Sequence, residues 1–227
     1  MHKRSKRYKA IAELIDKTKL YPLAEAVSLA KKTGNTKFTG SLELHLKLGI
    51  DPKKAEQLVR GSVILPNGTG KSKKLVVFAT GPAAEAAKKA GADRVGGEEL
   101  VKEVKAKGGL DADVVIATPD MMKFLSTVAK ILGPRGLMPN PKNETITTDV
   151  AKSVKELSGG KITFRNDESG NLHQAIGKMD FEEKALLENA EAYLDAIKRV
   201  KPATVKGTFI QSVTLSSSMG PGIKVQI

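Results

Sequence analysis

Residues 38–51, which read FTGSLELHLKLGID, carry the clearest pattern in the chain. Every second residue from position 42 to position 50 is aliphatic, and the residues between them are polar or small. Alternation with a period of two is typical of a β-strand that buries one face and leaves the other to water or to a partner. We therefore predict that this strand lies at the centre of an antiparallel sheet with one solvated face, and that the rest of the chain packs around it.

The composition is that of a soluble globular protein, with 227 residues, of which 40% are hydrophobic and 28% charged. No apolar run approaches the roughly 18 to 20 residues that cross a bilayer, and the basic start of the chain lacks the apolar core of a secretory signal. Because the chain contains no cysteine, disulfides, thiolate metal sites and thiol catalysis are excluded. We expect a cytoplasmic protein that does not enter a membrane.

The formal net charge of +13 points to an acidic partner, and nucleic acid is the first candidate for a soluble protein. Residues 1–66 carry +8, residues 67–159 carry +4 and residues 160–227 carry +1, so the positive end is the N-terminal one. With no Trp, three Tyr and six Phe, the chain has too few aromatic residues for a surface built on base stacking. Contacts to phosphate, to ribose hydroxyls and to RNA shape are expected instead.

Both ends of the chain have an α+β pattern. Before residue 67 the sequence predicts a basic arm, a helix carrying Ile11, Leu14 and Ile15, a helix over 21–32, the strand described above, a short helical stretch over 51–59 and a strand at 61–66. After residue 160 it predicts strands over 161–165 and 171–178 joined as a hairpin by 166–170, a helix capped by Asp180, and strands over 207–216 and 222–227.

The middle of the chain has a different pattern. It predicts strands at 75–80, near 94–95 and at 112–118, and helices over 82–89, 98–106, 120–132 and 147–160, the last capped by Thr147 or Thr148. The continuous apolar runs VVF and VVIA suit strands that are covered on both faces, as in a parallel sheet. The simplest assembly is a discontinuous α+β domain of 1–66 and 160–227 with an α/β domain of 67–159 inserted in it. The glycine-bearing connectors near 66–70 and 158–161 would form a hinge.

Catalytic motifs are incomplete. Gly70-Lys71-Ser72 resembles the end of a phosphate-binding loop, but Leu65 stands where the first glycine belongs and no helix is predicted to follow. Thr80-Gly81 and Gly96-Gly97 lack the spacing of a dinucleotide fingerprint. We predict that the chain is not an enzyme and holds no cofactor or catalytic residue. A nucleotide-dependent α/β enzyme and a general basic nucleic-acid-binding protein are the alternatives.

Metal and acid-base sites are equally poor. His2, His45 and His173 do not form a metal-binding helix motif, although His45 and His173 could face the same way across a sheet with Glu43 and Asp167 near them. We expect surface polar residues or RNA contacts there, and no metal site. The loop ILGPRGLMPNP at 131–141 needs special backbone angles; it is either a rigid surface loop or a contact with RNA or protein through Arg135.

Four stretches of the chain together resemble one family. In chain order they are KFTGSLELHLKLGIDPKK, ILGPRGLMPNPK, GKITFRNDESGNLHQAIGK and TLSSSMGPGIKV. The same order is found in the bacterial L-one family of large-subunit ribosomal proteins, and the similarity runs essentially end to end. The resemblance implies a discontinuous α+β terminal domain and an inserted Rossmann-like three-layer α/β domain joined by a hinge. It also implies that the protein binds large-subunit ribosomal RNA at the mobile stalk, contacts departing exit-site transfer RNA, and represses its own operon by binding the messenger RNA.

The resemblance also assigns site residues. The RNA-binding positions that it implies are Lys37, Phe38, Thr39, Ser41, Glu43, Asp167, Ser169, Gly170, Ser217, Ser218, Met219 and Gly220. Further RNA or transfer RNA contacts are predicted at Lys3, Arg4, Lys6, Arg7, Lys53, Lys54, Arg60 and Arg165. Relatives often have threonines before the Met-Gly pair where this chain has serines, and the serines keep the hydroxyl. We expect a monomer when the protein is not on the large ribosomal subunit.

Overall fold

The computed structural model describes residues 4–141 and 144–226. The chain divides into two compact units. The first, which we call the terminal unit, comprises Met1–Gly70 and Ile162–Ile227; the second, the inserted unit, comprises Lys71–Lys161. The chain thus leaves the terminal unit once and returns to it once.

The described residues form short strands and helices throughout. The strands are β1 (Ser41–Leu48), β2 (Arg60–Ile64), β3 (Leu75–Phe78), β4 (Arg94–Gly96), β5 (Val114–Ala117), β6 (Lys161–Arg165), β7 (Asn171–Lys178), β8 (Ile210–Ser217) and β9 (Gly222–Val225). The α-helices are α1 (Lys6–Ala12), α2 (Leu23–Thr33), α3 (Pro82–Lys89), α4 (Glu98–Lys107), α5 (Met122–Leu125), α6 (Ala129–Leu132), α7 (Val150–Ser158) and α8 (Glu183–Arg199). Single turns of 3-10 helix occur at Ala55–Gln57, Pro119–Met121 and Ser126–Val128.

A four-stranded antiparallel sheet organises the terminal unit. Its strand order is β7-β1-β8-β9, so β1 is an interior strand with a partner on each side. The four leucines of β1 are at most 1% exposed, and the residues between them are partly exposed. The predicted alternation is therefore confirmed. Because neighbouring strands are in register, the phase of β1 also decides which residues of β7 and β8 face outward.

The leucine face of the sheet packs against α2 and α8. Ala26, Val27 and Ala30 of α2 and Leu186, Ala190, Tyr193 and Ile197 of α8 join β1 in one hydrophobic cluster. Both helices place these residues at a spacing of three or four, which makes one apolar stripe on each. The opposite face of the sheet has no helix packed on it among these elements and carries its polar side chains.

Strands β6 and β7 do not form the predicted hairpin. β6 pairs with β2 in a separate two-stranded sheet, and β7 pairs with β1. The segment that joins them, residues 166–170, is a turn that passes the chain from one sheet to the other. The local turn signal was correct, but strand partners are chosen by burial of matching apolar faces, and the partner of β7 lies more than a hundred residues earlier in the chain.

The inserted unit is a parallel sheet with helices on both faces. β3 lies between β4 and β5 and pairs with both in parallel. Val76 and Phe78 of β3 pack with α4 and residues 121–132, whereas Leu75 and Val77 pack with α3 and α7. The prediction that this strand is covered on both faces is confirmed.

Two of the predicted helices are shorter than expected. The helix predicted over 120–132 is broken into α5, α6 and two 3-10 turns, because the hydroxyls of Ser126 and Thr127 bond the carbonyls of Lys123 and Phe124 three residues back. In the stretch 51–59 only Ala55–Gln57 is helical.

The first helix and two helix caps also differ from the prediction. α1 ends at Ala12, so that Ile15 is buried beyond the helix while Leu14 is 57% exposed. α7 is capped by Asp149, which accepts a hydrogen bond from the Lys152 N–H, and not by a threonine. α8 begins after Glu182 and not after Asp180, and its N-cap makes no side-chain bond.

We predict that Asn189→Ala destabilises the terminal unit by about 2–4 kcal/mol, because it leaves several buried groups without partners. Asn189 is fully buried in α8; its amide oxygen accepts from the Asn67 N–H at 3.0 Å, and its amide nitrogen donates to the carbonyls of Gly68 and Ile176. Amide hydrogen exchange of β1 and β7 measures the loss. Asn67→Ala is the control, because it keeps the bonds of Asn189 and removes only exposed hydrogen bonds, which run from the Asn67 side chain to the Ala185 carbonyl and the Glu188 carboxylate. Equal losses in the two variants would contradict this assignment.

Candidate nucleic-acid interface

The outward face of the four-stranded sheet presents aligned rows of polar side chains. Glu43 of β1 lies opposite Ser216 of β8, and His45 lies opposite Thr214. At the next position Lys47 lies between Ser212 of β8 and Asn171 of β7. Beyond them, Lys224 of β9 is the neighbour of Thr214. The face thus combines hydroxyls with a few charged groups, which suits hydrogen bonding to a polar polymer.

Two imidazoles meet at the middle of this face. The Nδ1 atoms of His45 and His173 lie 2.9 Å apart, so that one ring donates and the other accepts. The Nε2 of His45 lies 3.8 Å from the Glu43 carboxylate, and the Nε2 of His173 lies 3.6 Å from Asp167. Burial lowers the pKa of His45, and His173 lowers it further, while Glu43 raises it. The prediction that these histidines face the same way near these acids is confirmed.

The turn between β8 and β9 is tied to the start of β1. The Ser218 N–H donates to the Ser41 carbonyl, and the Ser41 N–H donates to the Ser218 hydroxyl, each at 3.0 Å. The Gly220 N–H closes the turn on the Ser217 carbonyl. Met219 has a φ of +59°, which lies in the left-handed region that residues other than glycine rarely adopt. Its side chain is 68% exposed. The turn therefore holds a methionine outward at a backbone cost.

The segment 35–41 lies beside this turn. Lys37, Phe38 and Thr39 are exposed, with Phe38 at 56%, and the Thr36 hydroxyl donates to the Phe38 carbonyl. Gly40 is buried; a β-carbon there would approach the Ser218 side chain to 3.2 Å. The first strand and the last hairpin are thus joined backbone to backbone, which places Phe38 and Met219 at the same end of the sheet and on the surface.

At the other end of β1, Asp167 organises the 166–170 turn. Its carboxylate accepts from the Asn171 N–H at 2.6 Å, from the Ser169 N–H at 2.9 Å and from the Asn171 side-chain amide at 3.0 Å. These donors, above all the Asn171 N–H, hold the pKa of Asp167 below its ordinary value. The Lys47 ammonium donates to the Ser169 carbonyl at 2.5 Å. The Asp167 carboxylate therefore fixes the shape of this turn.

Two of the predicted contact residues are buried. Ser217 is 3% exposed, and its hydroxyl lies 3.4 Å from that of Thr33. It faces inward because it pairs with Leu42, whose side chain is in the core. Gly170 is also buried, has a φ of +76° and accepts a hydrogen bond from the Leu48 N–H. We assign both residues to support of the loops, and the outward hydroxyls near Ser217 belong to Ser216 and Ser218.

The predicted additional basic residues fall into two groups. Lys53, Lys54, Arg60 and Arg165 lie in segments that meet near the 166–170 turn, where Val59 and Asn166 bond each other. Arg4, Lys6 and Arg7 lie in or next to α1 near the Met219 turn; Arg4 lies over the Tyr8 ring, and Arg7 bonds backbone carbonyls. Lys3 lies outside the described residues.

Five further surface residues of this face were not predicted from the sequence: Ser212, Thr214, Ser216, Asn171 and Lys224. The alternation in QSVTLS, at 211–216, was the available signal for the three hydroxyls. That alternation identifies the outward residues of this face only when the register of the strand against β1 is known.

Alternative chemistry finds no support in the geometry. Gly70-Lys71-Ser72 is followed by strand β3, whereas a phosphate-binding loop must open a helix. Within residues 4–141 and 144–226, no three His, Asp or Glu residues are arranged to hold a metal ion. In the same ranges, no helix has both the length and the apolar character needed to span a bilayer. In the inserted unit, the Arg135 guanidinium packs on Gly109 and lies 3.5 Å from the Leu110 carbonyl, which favours the rigid-loop interpretation of 131–141.

We predict that His45 titrates below 6.5 in the folded chain, and that His173→Gln raises its pKa. The unfolded chain then binds the His45 proton more tightly than the folded chain, so the free energy of unfolding falls as the pH drops through about 6.5 towards the lowered pKa. A pH titration of the imidazole signals by NMR checks both statements. Lys224→Gln, which removes a more distant positive charge on the same face, is the control. A His45 pKa that does not move in His173→Gln would contradict the coupling.

Comparison with known proteins agrees with this geometry. Residues 29–221 match the model of the Ribosomal protein L1p/L10e family. Similar proteins named large ribosomal subunit protein uL1 occur in Thermobifida fusca, Thermosipho melanesiensis and Clavibacter sepedonicus, with identities of 54%, 52% and 52%. The alignments cover 98%, 99% and 99% of this chain and 94%, 97% and 98% of those proteins. These matches confirm the family predicted from the sequence and, with it, that the chain is not an enzyme. The chain belongs to the Ribosomal protein L1p/L10e family.

Proposed function

We propose that the chain is a structural protein of the large ribosomal subunit and binds the ribosomal RNA of that subunit through the polar face of the terminal unit. One observation carries the proposal. Segments from the two ends of the chain, around Ser41 and Ser218, bond each other's backbone and present Phe38 and Met219 together on the surface of a basic protein. The relatives named above as proteins of the large ribosomal subunit support this partner.

The outward groups of this face suit RNA. Lys37 is exposed and neutralises phosphate, and each such contact steepens the salt dependence of binding by about 0.9 on duplex nucleic acid. The hydroxyls of Thr214, Ser216 and Ser218 pair with ribose 2′-hydroxyls, which distinguish RNA from DNA. Phe38 and Met219 form a small apolar patch at the edge of these polar groups and shield their hydrogen bonds from water.

Glu43 is an acid on a surface proposed to meet phosphates. Among the described residues, the basic group beside its carboxylate is the His45 imidazole, at 3.8 Å, and not Lys37. Burial lowers the pKa of this imidazole, so the contact becomes an ion pair only in acid. The imidazole offsets the negative charge of the carboxylate when it is protonated, and the remaining lone pairs of the carboxylate accept hydrogen bonds from ribose or from a base. Glu43 is thus a recognition group for sugar or base rather than a partner that orients Lys37.

Two further RNA partners follow from the resemblance. Lys53, Lys54, Arg60 and Arg165, grouped near the 166–170 turn, contact exit-site transfer RNA as it departs. The messenger RNA of the protein's own operon, which offers a structure similar to that of the ribosomal site, binds the same face as the ribosomal RNA and is repressed. One surface then serves both assembly and regulation.

The connectors near 66–70 and 158–161 form a hinge in this proposal, between a terminal α+β RNA-binding domain and a Rossmann-like inserted domain. The boundaries of the compact units fall after Gly70 and after Lys161. Gly68, Gly70 and Gly160 have positive φ values of 64°, 71° and 105°, which glycine adopts without strain. Such residues suit backbone segments that bend between two rigid bodies.

We predict that Met219→Asp weakens binding of a stalk fragment of the ribosomal RNA by about 30-fold or more, the loss of one interface hot spot of about 2 kcal/mol. The change places a negative charge where phosphates approach, while aspartate tolerates the left-handed backbone, so the turn remains folded. Filter binding measures the affinity.

Leu20→Asp is the matched control, because Leu20 is 55% exposed in the same unit and precedes Tyr21, whose bridge to Val225 lies at the end of β9 remote from the turn. Its affinity should stay within a factor of about three of the wild type. Equal losses in both variants would remove the proposed surface. Duplex DNA that competes as well as the RNA would indicate a general basic nucleic-acid-binding protein.

We predict that a fragment of the operon messenger RNA displaces the ribosomal RNA fragment from the wild-type chain, and that Met219→Asp weakens both complexes in parallel. The physical reason is that both RNAs use one set of hydroxyls and the same apolar patch. A competition titration at fixed salt checks this. Simultaneous binding of the two RNAs would contradict a shared surface and leave the ribosomal assignment intact.

A further inference from the structure

Arg7 was predicted as an RNA contact, yet its guanidinium is already engaged within the protein. Its Nη1 donates to the Asn35 carbonyl at 3.1 Å, and its Nη2 donates to the Met219 carbonyl at 3.0 Å. Asn35 precedes the exposed Lys37-Phe38-Thr39 segment, and Met219 lies at the tip of the last hairpin. A single side chain therefore bridges the two backbone segments that make up the proposed surface.

The helix that carries Arg7 is itself held in place. The Ser5 hydroxyl caps α1 by accepting from the Tyr8 N–H, and Ile11, which is 7% exposed, anchors the helix on the protein. Arg7 is half-buried, whereas its neighbours Lys6 and Lys9 are exposed. The side chain is thus delivered to the two carbonyls by a fixed element and is not a mobile part of a basic arm.

The strained conformation of the turn requires stabilisation by a bond of this kind. Met219 holds a left-handed backbone conformation without the freedom of glycine, and the Gly220 N–H to Ser217 carbonyl bond only closes the turn on itself. The donation from Arg7 fixes the peptide group that follows Met219, and it is charge-assisted, which makes it stronger than a bond between neutral groups. Arginine donates to the two carbonyls through two separate nitrogens of a rigid planar fork, whereas lysine has one ammonium nitrogen on a flexible chain, so lysine is the poorer bridge.

We propose that Arg7 is a positioning residue of the RNA-binding surface, which locks the 217–220 turn to the 35–39 segment and so presents Met219 and Phe38 in a fixed relation. This inference rests on the function proposed above. In this role, Arg7 acts on RNA through the turn. The exposed Lys6, by contrast, acts as an ordinary phosphate ligand.

The test compares Arg7→Gln, Arg7→Lys and Lys9→Gln in the full chain, with the stalk fragment of the ribosomal RNA as the probe. Lys9 is the matched control, because it is an exposed cation of the same helix and is not a predicted RNA contact. We expect both Arg7 variants to bind at least tenfold more weakly, chiefly through faster dissociation, with an unchanged slope of log K against log salt. Lys9→Gln should bind within a factor of about three of the wild type. An Arg7→Lys variant that binds like the wild type, or an Arg7→Gln variant whose salt slope falls by about 0.9, would overturn the proposal and make Arg7 a phosphate ligand.

A second measurement needs no RNA. In the free protein, Arg7→Gln should shift the Met219 methyl and Gly220 amide NMR signals, whereas Lys9→Gln should leave them in place. The methyl signals of Leu44 and Leu46 show that the sheet is intact. Unchanged turn signals in Arg7→Gln would overturn the positioning role even if affinity fell. A wild-type chain that fails to bind the RNA would sink the proposed function, while the turn signals would still decide the role of Arg7.

Discussion

Burial of one face of β1 is the constraint on which the rest of the terminal unit depends. The leucines at positions 42, 44, 46 and 48 are in the core, and this fixes Glu43, His45 and Lys47 outward. Because β7 and β8 pair with β1 at fixed positions, the same constraint places His173 beside His45. It also places Thr214 opposite His45 and Ser216 opposite Glu43. A slip of one residue would exchange the two faces and bury every polar group of the surface, so the register is strongly specified.

The insertion is compatible with this sheet because of where the chain leaves it. β2 ends just before the first connector, and β6 begins where the second connector ends. The two strands pair with each other in a small sheet of their own. The two ends of the inserted segment are therefore held close together by the terminal unit, and the entropy of closing a loop of that length rises only slowly with its length. The strands that make up the polar face, β1, β7, β8 and β9, are not interrupted. A polar face assembled from both ends of the chain, which we propose binds RNA, can thus coexist with a separate α/β unit in the middle.

The sequence predicted what is local and periodic. β6 and β7 begin and end where their patterns do, and β1 faces as its alternation requires. Some failures were local, such as the helix over 120–132 that the hydroxyls of Ser126 and Thr127 break, and others depended on distant partners. The hairpin between β6 and β7 was wrong because β7 pairs with β1, and the direction of Ser217 was hidden because a run of serines has no apolar phase; its pairing with buried Leu42 decides it. The bond from Arg7 to Met219 spans 212 positions, and no local signal encodes it.

The arrangement of charges on the polar face explains how a surface that we propose binds RNA can contain acidic side chains. Asp167 is satisfied by three N–H donors in its own turn, and Glu43 lies beside His45. The histidine pair then links these acids across two strands, so negative charge at the centre of the face is engaged by the protein itself. Exposed positive charge lies at the two ends, on Lys37 near the Met219 turn and on Lys53 near the other turn. On such a surface the ends supply attraction for phosphates, which any nucleic acid satisfies, and the hydroxyls between them supply the selection for RNA. The two turns are therefore important beyond the charges that they carry, because they set the distance between the lysines at the ends of the face and the hydroxyls between them.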